Sequence, residues 1–308
     1  MWRIEGTVRA KSCVKMAQLN VSILLNAVYI EGDFSMNYFI ASCGYTTQFP
    51  EQSRRIREYI ADAYPNIEIV RCCVPGWKTK IYEEKMPTGE LVDAWRAMPQ
   101  SRVLTAEDAI WSLCPNCMNI AAEWRGAEAH ALWELIDADA DFPLPNLNGW
   151  HVTLQDCWRM REYTATHDAV RSLLTKMGIT WEEIPNNREK ADFCGKTLYR
   201  PQVDRNPQLA PKHYRDNAVG LFEPHTEEEQ DRLMRAHCAQ YGSDAVICYC
   251  HYCLEGLRVG GSRSYHIADL IFGNVDAMKK GRCTSFSYNV PIDLRLRSLT
   301  PSQQSRCR

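Results

Sequence analysis

Nine of the 14 cysteines in this 308-residue chain recur in similar contexts in its two halves. In each half, cysteines follow apolar, strand-like runs, and one Cys-x-x-Cys pair comes last. The nine are Cys43, Cys72, Cys73, Cys114, Cys117, Cys157, Cys194, Cys250 and Cys253. A Cys-x-x-Cys turn presents two thiolates to one metal ion or cluster. Because each half has at least two further cysteines, the pattern predicts two metal or iron–sulfur sites.

The two Cys-x-x-Cys pairs lie in matching stretches of sequence. "DAIWSLCPNC" and "DAVICYCHYC" both run from Asp-Ala through an apolar segment to the cysteine pair. Cys117 stands 13 residues before His130, and Cys253 stands 13 residues before His266. A motif that recurs with a fixed offset indicates an internal repeat. The sequence therefore predicts two similar modules that arose by internal duplication.

Each predicted module alternates strands with helices. The runs "NYFIASC" and "HVTLQDC" are strand-like and end in cysteine. Apolar residues at helical spacing follow both runs, at Ile56, Tyr59, Ile60 and Ala63 and at Val170, Leu173, Leu174 and Met177. This order predicts an α/β fold with a mostly parallel sheet in each module. Ligands gather at the carboxyl ends of parallel strands, so we expect the cysteines at those ends.

The predicted modules span residues 36–148 and 149–273. Met36 directly precedes the first predicted strand, so residues 1–35 are interpreted as an N-terminal extension. Residues 274–308 have polar and basic clusters without a hydrophobic period and are interpreted as a C-terminal tail. The cysteines of these two segments, Cys13, Cys283 and Cys307, are interpreted as non-ligands.

The composition argues against several classes of function. The chain has 36 basic and 38 acidic residues, so it lacks the electrostatic footprint of a nucleic-acid or membrane-surface binder. No apolar run reaches the roughly 18 residues of a membrane span, and the first residues resemble a signal peptide only faintly. A chain of this size does not need disulfides for stability. We therefore expect a cytoplasmic protein whose thiols are metal ligands.

The number of cysteines distinguishes the two predicted sites. A structural zinc site is complete with four ligands, and the second module supplies four. The first module supplies five, and a fifth thiolate has no role in a closed tetrahedral site. An iron–sulfur cluster accommodates five, because one thiolate can bridge two irons. The adjacent Cys72 and Cys73 are thus expected to hold a shared or neighbouring iron.

A pattern of one Cys, then Cys-Cys or Cys-Gly, then Cys-x-x-Cys occurs twice over about residues 37–273 and resembles the cysteine-rich CCG domain. That domain occurs in the disulfide-cleaving subunit of heterodisulfide reductase and in subunits of several dehydrogenases. The resemblance implies that the nine cysteines bind cofactors, which in heterodisulfide reductase are noncubane [4Fe–4S] clusters that cleave the disulfide substrate. It implies an oxidoreductase subunit that acts in thiol/disulfide reduction or related electron transfer.

The chain departs from the family pattern in both modules. The first reads Cys-Cys-Val at Cys72 and keeps its five thiols, so a noncubane [4Fe–4S] cluster is expected there. The second reads Phe-Cys-Gly at Cys194 and lacks one thiol, so a cubane cluster or a structural zinc ion is expected there. A ferredoxin-type cysteine run and a flavin fingerprint are missing, which implies a ferredoxin-type iron–sulfur partner and a flavoprotein partner. The alternative is a non-catalytic electron-transfer or assembly subunit of a dehydrogenase complex.

Five further residues near the motifs are expected to have supporting roles. Cys248 is either a packed strand residue or an additional ligand, and Cys238 is expected in a buried helix. His251, inside the second Cys-x-x-Cys, is an exposed turn residue, a hydrogen-bond donor to sulfur or a proton donor to substrate. His130 and His266 are expected to pack at helix starts or to contact the metal ligands, rather than to bind metal themselves.

Overall fold

Two parallel four-stranded sheets form the framework of the chain in the computed structural model, which describes residues 36–74, 89–100 and 103–273. The strand order is β2-β1-β3-β4 in the first sheet and β6-β5-β7-β8 in the second, and every pairing is parallel. The strands are β1 (Asn37–Ile40), β2 (Ile67–Val70), β3 (Ala109–Ser112), β4 (Glu128–Ala131), β5 (His151–Gln155), β6 (Thr180–Glu183), β7 (Ala245–Cys248) and β8 (Ser264–His266). The predicted α/β class with parallel sheets is confirmed.

Helices lie between the strands, because neighbouring parallel strands need a crossover connection. They are α1 (Cys43–Gln48), α2 (Pro50–Ala63), α3 (Gly89–Ala97), α4 (Pro115–Arg125), α5 (Leu132–Ala138), α6 (Thr164–Lys176), α7 (Arg205–Leu209), α8 (Glu227–Cys238), α9 (His251–Val259) and α10 (Ile267–Phe272). Short 3-10 helices occur at Trp158–Met160, Arg188–Lys190 and Gly195–Tyr199, and a π-helical turn occurs at Lys212–Asp216. Among the described residues, no helix has the length and apolar character needed to cross a membrane.

The inner strands and the predicted helix faces supply much of the core. Strands that are covered on both faces must be apolar, and Phe39 of β1 and Leu154 of β5 have no solvent exposure. The helix positions that are buried as predicted are Ile56, Ile60, Val170, Leu173, Leu174 and Met177. Ala63, the last residue of α2, is exposed, so the buried face of that helix ends earlier than predicted.

The outer strands β4 and β8 contain the two matched histidines, and the expected helix-start position is confirmed for His266 and wrong for His130. His130 lies within β4 rather than at a helix start, and its ring stacks on Trp111 of β3 with 4.4 Å between ring centroids. His266 ends β8 and also caps α10, where its Nδ1 accepts a hydrogen bond from the N–H of Ala268 at 3.2 Å. These strands have three or four residues, so pairing with β3 and β7 determines their conformation more than local propensity does.

Side chains from the two halves meet in one continuous hydrophobic core. Gln52 of α2 donates a hydrogen bond to Asp269 of α10 at 3.1 Å. The ring centroid of Tyr45 in α1 lies 5.2 Å from that of His266. Because these contacts join helices of the first half to the last strand and helix of the second, the cysteines of both halves belong to one folded unit.

Candidate metal centre

Four cysteine thiols of the second half form one compact buried group, called here the second cysteine group. Its members are free thiols, each at most 1% exposed, and they are Cys157, Cys194, Cys250 and Cys253. Their sulfurs all lie within 4.8 Å of one another. The Sγ of Cys194 lies 3.5 Å from that of Cys157 and 4.0 Å from that of Cys250. Four soft donors gathered away from water fit a metal ion or an iron–sulfur cluster.

The central strands of the second sheet position three of these thiols. Cys157 comes two residues after the end of β5, and Cys250 comes two residues after the end of β7. Cys250 caps α9, and Cys253 lies in the first turn of that helix. Residues three apart on a helix face the same side, so the Cys-x-x-Cys turn directs both thiols to one point.

Cys194 reaches the group through a close contact between loops, because it lies 11 residues after Glu183, the last residue of β6. It caps the 3-10 helix Gly195–Tyr199. Gly195 has a left-handed φ of 59°, and a Cβ at this position would lie 2.1 Å from the carbonyl oxygen of Tyr252. Only glycine permits this approach, which brings Cys194 against the Cys-x-x-Cys turn. The expected strand-end position is therefore wrong for Cys194.

A buried arginine lies against the second cysteine group. The Nε–H of Arg159 donates to the Sγ of Cys194 at 3.2 Å, and the arginine is 3% exposed. Burial by itself raises the pKa of Cys194, but the neighbouring S–H groups and the charge of Arg159 hold that pKa well below its usual range. Burial raises the pKa of Cys157 and Cys253. The group thus stabilises one thiolate on its own, and a bound metal deprotonates coordinating thiols.

Sequence reasoning missed Arg159, although it lies two residues after Cys157. Nothing in the stretch "CWRMR" distinguishes it from Arg161, whose Nε–H donates to the carbonyl of Ala191. The contact of Arg159 with sulfur depends on where Cys194 lies, and that position depends on the loop contact of Gly195. No sequence pattern therefore signals this residue.

The five cysteines of the first half, called here the first cysteine group, lie near one another in a looser arrangement. Cys43 is half-buried, and the buried members are Cys72, Cys73, Cys114 and Cys117. The S–H group of Cys43, followed by that of Cys73, lowers the pKa of Cys72 to about 3. The S–H group of Cys117 lowers the pKa of Cys114 to about 6. These interactions link the five thiols from neighbour to neighbour.

The two groups differ in compactness. Within residues 36–74, 89–100 and 103–273, the second cysteine group is the only set of three or more cysteine, histidine or carboxylate ligand atoms that all lie within 4.8 Å of one another. The thiols of the first cysteine group make neighbouring contacts without converging on one point. The structure thus brings the four predicted ligands of the second half together, and the ligand roles of the five remain a prediction.

The remaining cysteines lie apart from the compact group. The thiol of Cys248 donates to the carbonyl oxygens of Cys250 at 3.7 Å and Tyr265 at 3.8 Å, so it occupies a packed position. Cys238 ends α8 and is partly buried. The predicted extension and tail lie outside the described residues, together with Cys13, Cys283 and Cys307.

His251 is buried, so the expectation of an exposed turn residue is wrong. It lies in the first turn of α9 and is 2% exposed, and neither ring nitrogen has a hydrogen-bond partner among the described residues. Burial lowers the pKa of His251 to about 4. Its Nε2 lies 3.4 Å from the position that a Cβ would take at Gly44. The ring therefore packs against the residue that follows Cys43.

Comparisons with known proteins give no family for this chain. No family model matches it, and no curated protein matches it. Among solved structures, the chain is similar to the crystal structure of glutamate racemase isoform RacE1 from Bacillus anthracis, with 11% sequence identity over 82% of this chain and 84% of that chain. The TM-score is 0.30, and a likeness of this degree supports no statement about function.

Proposed function

We propose that this chain is an iron–sulfur oxidoreductase subunit similar to the disulfide-cleaving subunit of heterodisulfide reductase, with two unlike metal centres. The first cysteine group would hold a noncubane [4Fe–4S] cluster, and the second cysteine group would hold one structural zinc ion. The observation that carries this proposal is the contrast between five loosely linked thiols and four thiols within 4.8 Å of one another.

The sulfur separations favour zinc over a cubane cluster in the second cysteine group. A zinc–sulfur bond of about 2.3 Å in a tetrahedral site puts neighbouring thiolates about 3.8 Å apart. The two separations given above, 3.5 Å and 4.0 Å, lie on either side of that value. In a four-iron cluster each thiolate binds a different iron, so the thiolates stand further apart. The compact group therefore fits a single ion.

The number and arrangement of the thiols in the first cysteine group favour a cluster over a single ion. A closed tetrahedral site uses four thiolates, and this group offers five that do not converge. The adjacent Cys72 and Cys73 provide two sulfurs from consecutive residues, which suits a cluster with neighbouring irons. The neighbouring S–H groups lower the pKa of Cys72 and Cys114, which favours the thiolate forms of these two residues.

An internal duplication accounts for the likeness of the two halves. The first and second sheets have corresponding strand orders, and the sequence has the same 13-residue offset after each Cys-x-x-Cys pair. We interpret the second half as a copy that lost one thiol beside Cys194. Loss of one thiol from a five-cysteine cluster site leaves the four ligands that zinc requires.

In the proposed activity, a cluster held by the first cysteine group would supply electrons to a small disulfide. The net reaction uses two electrons and two protons, breaks one S–S bond and yields two thiols. The electrons come from a ferredoxin-type iron–sulfur partner that is in turn reduced by a flavoprotein. Cys43 is the least buried thiol of its group, so the substrate would approach on that side.

A second candidate function is electron transfer without a substrate of its own. The burial of the other four thiols of the first cysteine group favours it, since each is at most 5% exposed. Anaerobic assays with a reduced artificial donor and a series of small disulfides separate the two candidates. Disulfide-dependent oxidation of the donor supports the oxidoreductase, and donor oxidation only by a protein acceptor supports the electron-transfer subunit.

Metal and sulfide analysis of anaerobically purified protein tests the proposal. We expect about four irons, about four sulfides and about one zinc per chain. Cys73→Ser should lose iron and sulfide and keep zinc, whereas Cys194→Ser should lose zinc and keep iron. Cys238→Ser is the matched control and should keep all three. About eight irons without zinc would refute the zinc assignment, and zinc without sulfide would refute the redox function.

A further inference from the structure

Arg159 is a buried cation whose hydrogen bonds go to a thiol, an amide and a hydroxyl. Its Nε–H donates to Cys194 Sγ at 3.2 Å, one Nη–H donates to Asn116 Oδ1 at 2.8 Å, and the other donates to Thr197 Oγ1 at 3.4 Å. Among these three acceptors, only the Cys194 sulfur belongs to a group that can carry a negative charge.

The charge of Arg159 indicates that the second cysteine group is anionic when the protein is folded. A guanidinium away from water is stable only beside an opposite charge and with its donors satisfied. Four thiolates around one divalent ion carry two net negative charges, which supplies that opposite charge. The rings of Trp158 and Tyr214 lie 5.0 and 5.2 Å from the guanidinium carbon and complete an enclosed site.

The same residue is attached to the turn that carries two thiols of the first cysteine group. Asn116 lies between Cys114 and Cys117, so the bond from Arg159 ends inside the first Cys-x-x-Cys turn. One helical turn later, the Nδ2–H of Asn119 donates to the backbone carbonyl of Arg159 at 2.9 Å. The side chain and the backbone of Arg159 are therefore both bonded to α4.

We propose, resting on the metal content proposed above, that Arg159 is a positioning residue that couples the two metal centres. One edge of its planar guanidinium holds the Cys194 sulfur in the second cysteine group, and the other edge holds the first Cys-x-x-Cys turn through Asn116. Metal binding in either group then favours the conformation that binds metal in the other, by the same factor in both directions. Lysine cannot replace this function, because an ammonium lacks the rigid fork that reaches both acceptors.

The first test measures the rate at which zinc passes from the full-length, anaerobically purified protein to a chromophoric chelator. Removing a hydrogen-bond partner of a metal ligand weakens metal binding by about 10–100-fold, so Arg159→Gln should release zinc about tenfold faster or more. Arg161→Gln is the matched control, since it removes the same charge two residues away and should release zinc at the wild-type rate. Arg159→Lys preserves the charge and serves if the glutamine variant does not fold; it too should release zinc faster.

The second test measures coupling with a double-mutant cycle. Cys73→Ser, which lacks the cofactor of the first cysteine group, should release zinc faster than wild type. Asn116→Ala cuts the bond between Arg159 and the first turn but keeps the N–H···S bond. The bond from Asn119 to the backbone carbonyl of Arg159 remains in this variant, so in the Asn116→Ala background Cys73→Ser should change the zinc release rate less than it does in the wild-type background.

The outcomes separate this inference from the proposed function. If the wild-type protein binds metal and both Arg159 variants release zinc at the wild-type rate, the role of Arg159 is overturned and the proposed function is not. An equal effect of Cys73→Ser with and without Asn116→Ala would overturn the coupling. Wild-type protein that binds no metal would overturn the proposed function and this inference together. If both cysteine groups bind iron, the zinc assignment has failed. The role of Arg159 is then tested by comparing the iron release rates of the same variants.

Discussion

A buried carboxylate beside the second cysteine group is predicted to contribute strongly to the thermal stability of the folded protein. Asp156 precedes Cys157 and has no solvent exposure. Its Oδ2 accepts from Arg171 at 2.6 Å and from the backbone N–H of Arg188 at 2.8 Å, and its Oδ1 accepts from the hydroxyl of Tyr249 at 2.8 Å. Asp156→Asn removes the charge and turns an acceptor into a donor that faces one of these donors.

The size of the effect follows from the burial of the partner that remains. The Arg171 side chain is 5% exposed, and removing one partner of a buried ion pair costs roughly 3–5 kcal/mol. Glu183 also accepts from Arg171, at 2.7 Å, but its side chain is 30% exposed, so it compensates only in part. At about 2–4 °C per kcal/mol for a domain of this order of size, the melting temperature should fall by about 6–20 °C.

Calorimetry or circular dichroism on metal-loaded protein measures this shift. The matched control is Asp168→Asn, whose partner Arg188 lies 2.9 Å away and whose own side chain is 70% exposed. Exposed pairs contribute about 0–1 kcal/mol, so the control should melt within about 4 °C of wild type. If Asp156→Asn has the same melting temperature as the control variant, another group balances the buried charge of Arg171 and the reasoning is wrong.

Two further predictions concern the packing around the second cysteine group. Gly195→Ala should accelerate zinc release and lower the melting temperature, because its Cβ would lie 2.1 Å from the Tyr252 carbonyl oxygen, whereas Gly242→Ala has open space and should resemble wild type. His213 stacks on Trp158 at 4.8 Å, and burial lowers its pKa from 6.5 to about 3. Its stabilising contribution is therefore complete above about pH 6.5 and is lost as the pH falls towards 3, with about 2 kcal/mol gone at pH 5. His213→Phe should remove this part of the pH dependence in urea unfolding between pH 7 and 5, and equal slopes for the two proteins would contradict the assignment.

The sequence predicts those parts of the fold that depend on local pattern. The apolar runs that end near Cys43 and Cys157 become the central strands β1 and β5, because a strand covered on both faces must be apolar throughout. The helical spacing at Val170 and Leu173 becomes the buried face of α6, because apolar residues at this spacing lie on one side of a helix and pack against the core. The short strands β4 and β8 were not predicted, since three or four residues carry too little periodicity to be distinguished from a helix start.

The candidate site is predictable in composition but not in geometry. The four thiols of the second cysteine group follow from the cysteine pattern, because the Cys-x-x-Cys turn and the strand end after β5 are local features. The position of Cys194 depends on a contact between Gly195 and the distant carbonyl of Tyr252. The short distances between the four sulfurs, which favour zinc in the proposal, depend on that contact. The spacing of residues along the chain predicts neither the contact nor these distances.

The contacts between the two halves differ at the two Cys-x-x-Cys turns. Asn116, inside the first Cys-x-x-Cys, contacts Arg159 near Cys157, and His251, inside the second Cys-x-x-Cys, contacts Gly44 beside Cys43. The contact at the first Cys-x-x-Cys involves a charged guanidinium, and the contact at the second involves an imidazole ring and a glycine. The guanidinium of Arg159 donates a hydrogen bond to a sulfur of the second cysteine group, whereas the charge of Arg205 acts on Cys72 and Cys73 of the first. The electrostatic difference between the proposed centres therefore arises from residues outside the cysteine motifs.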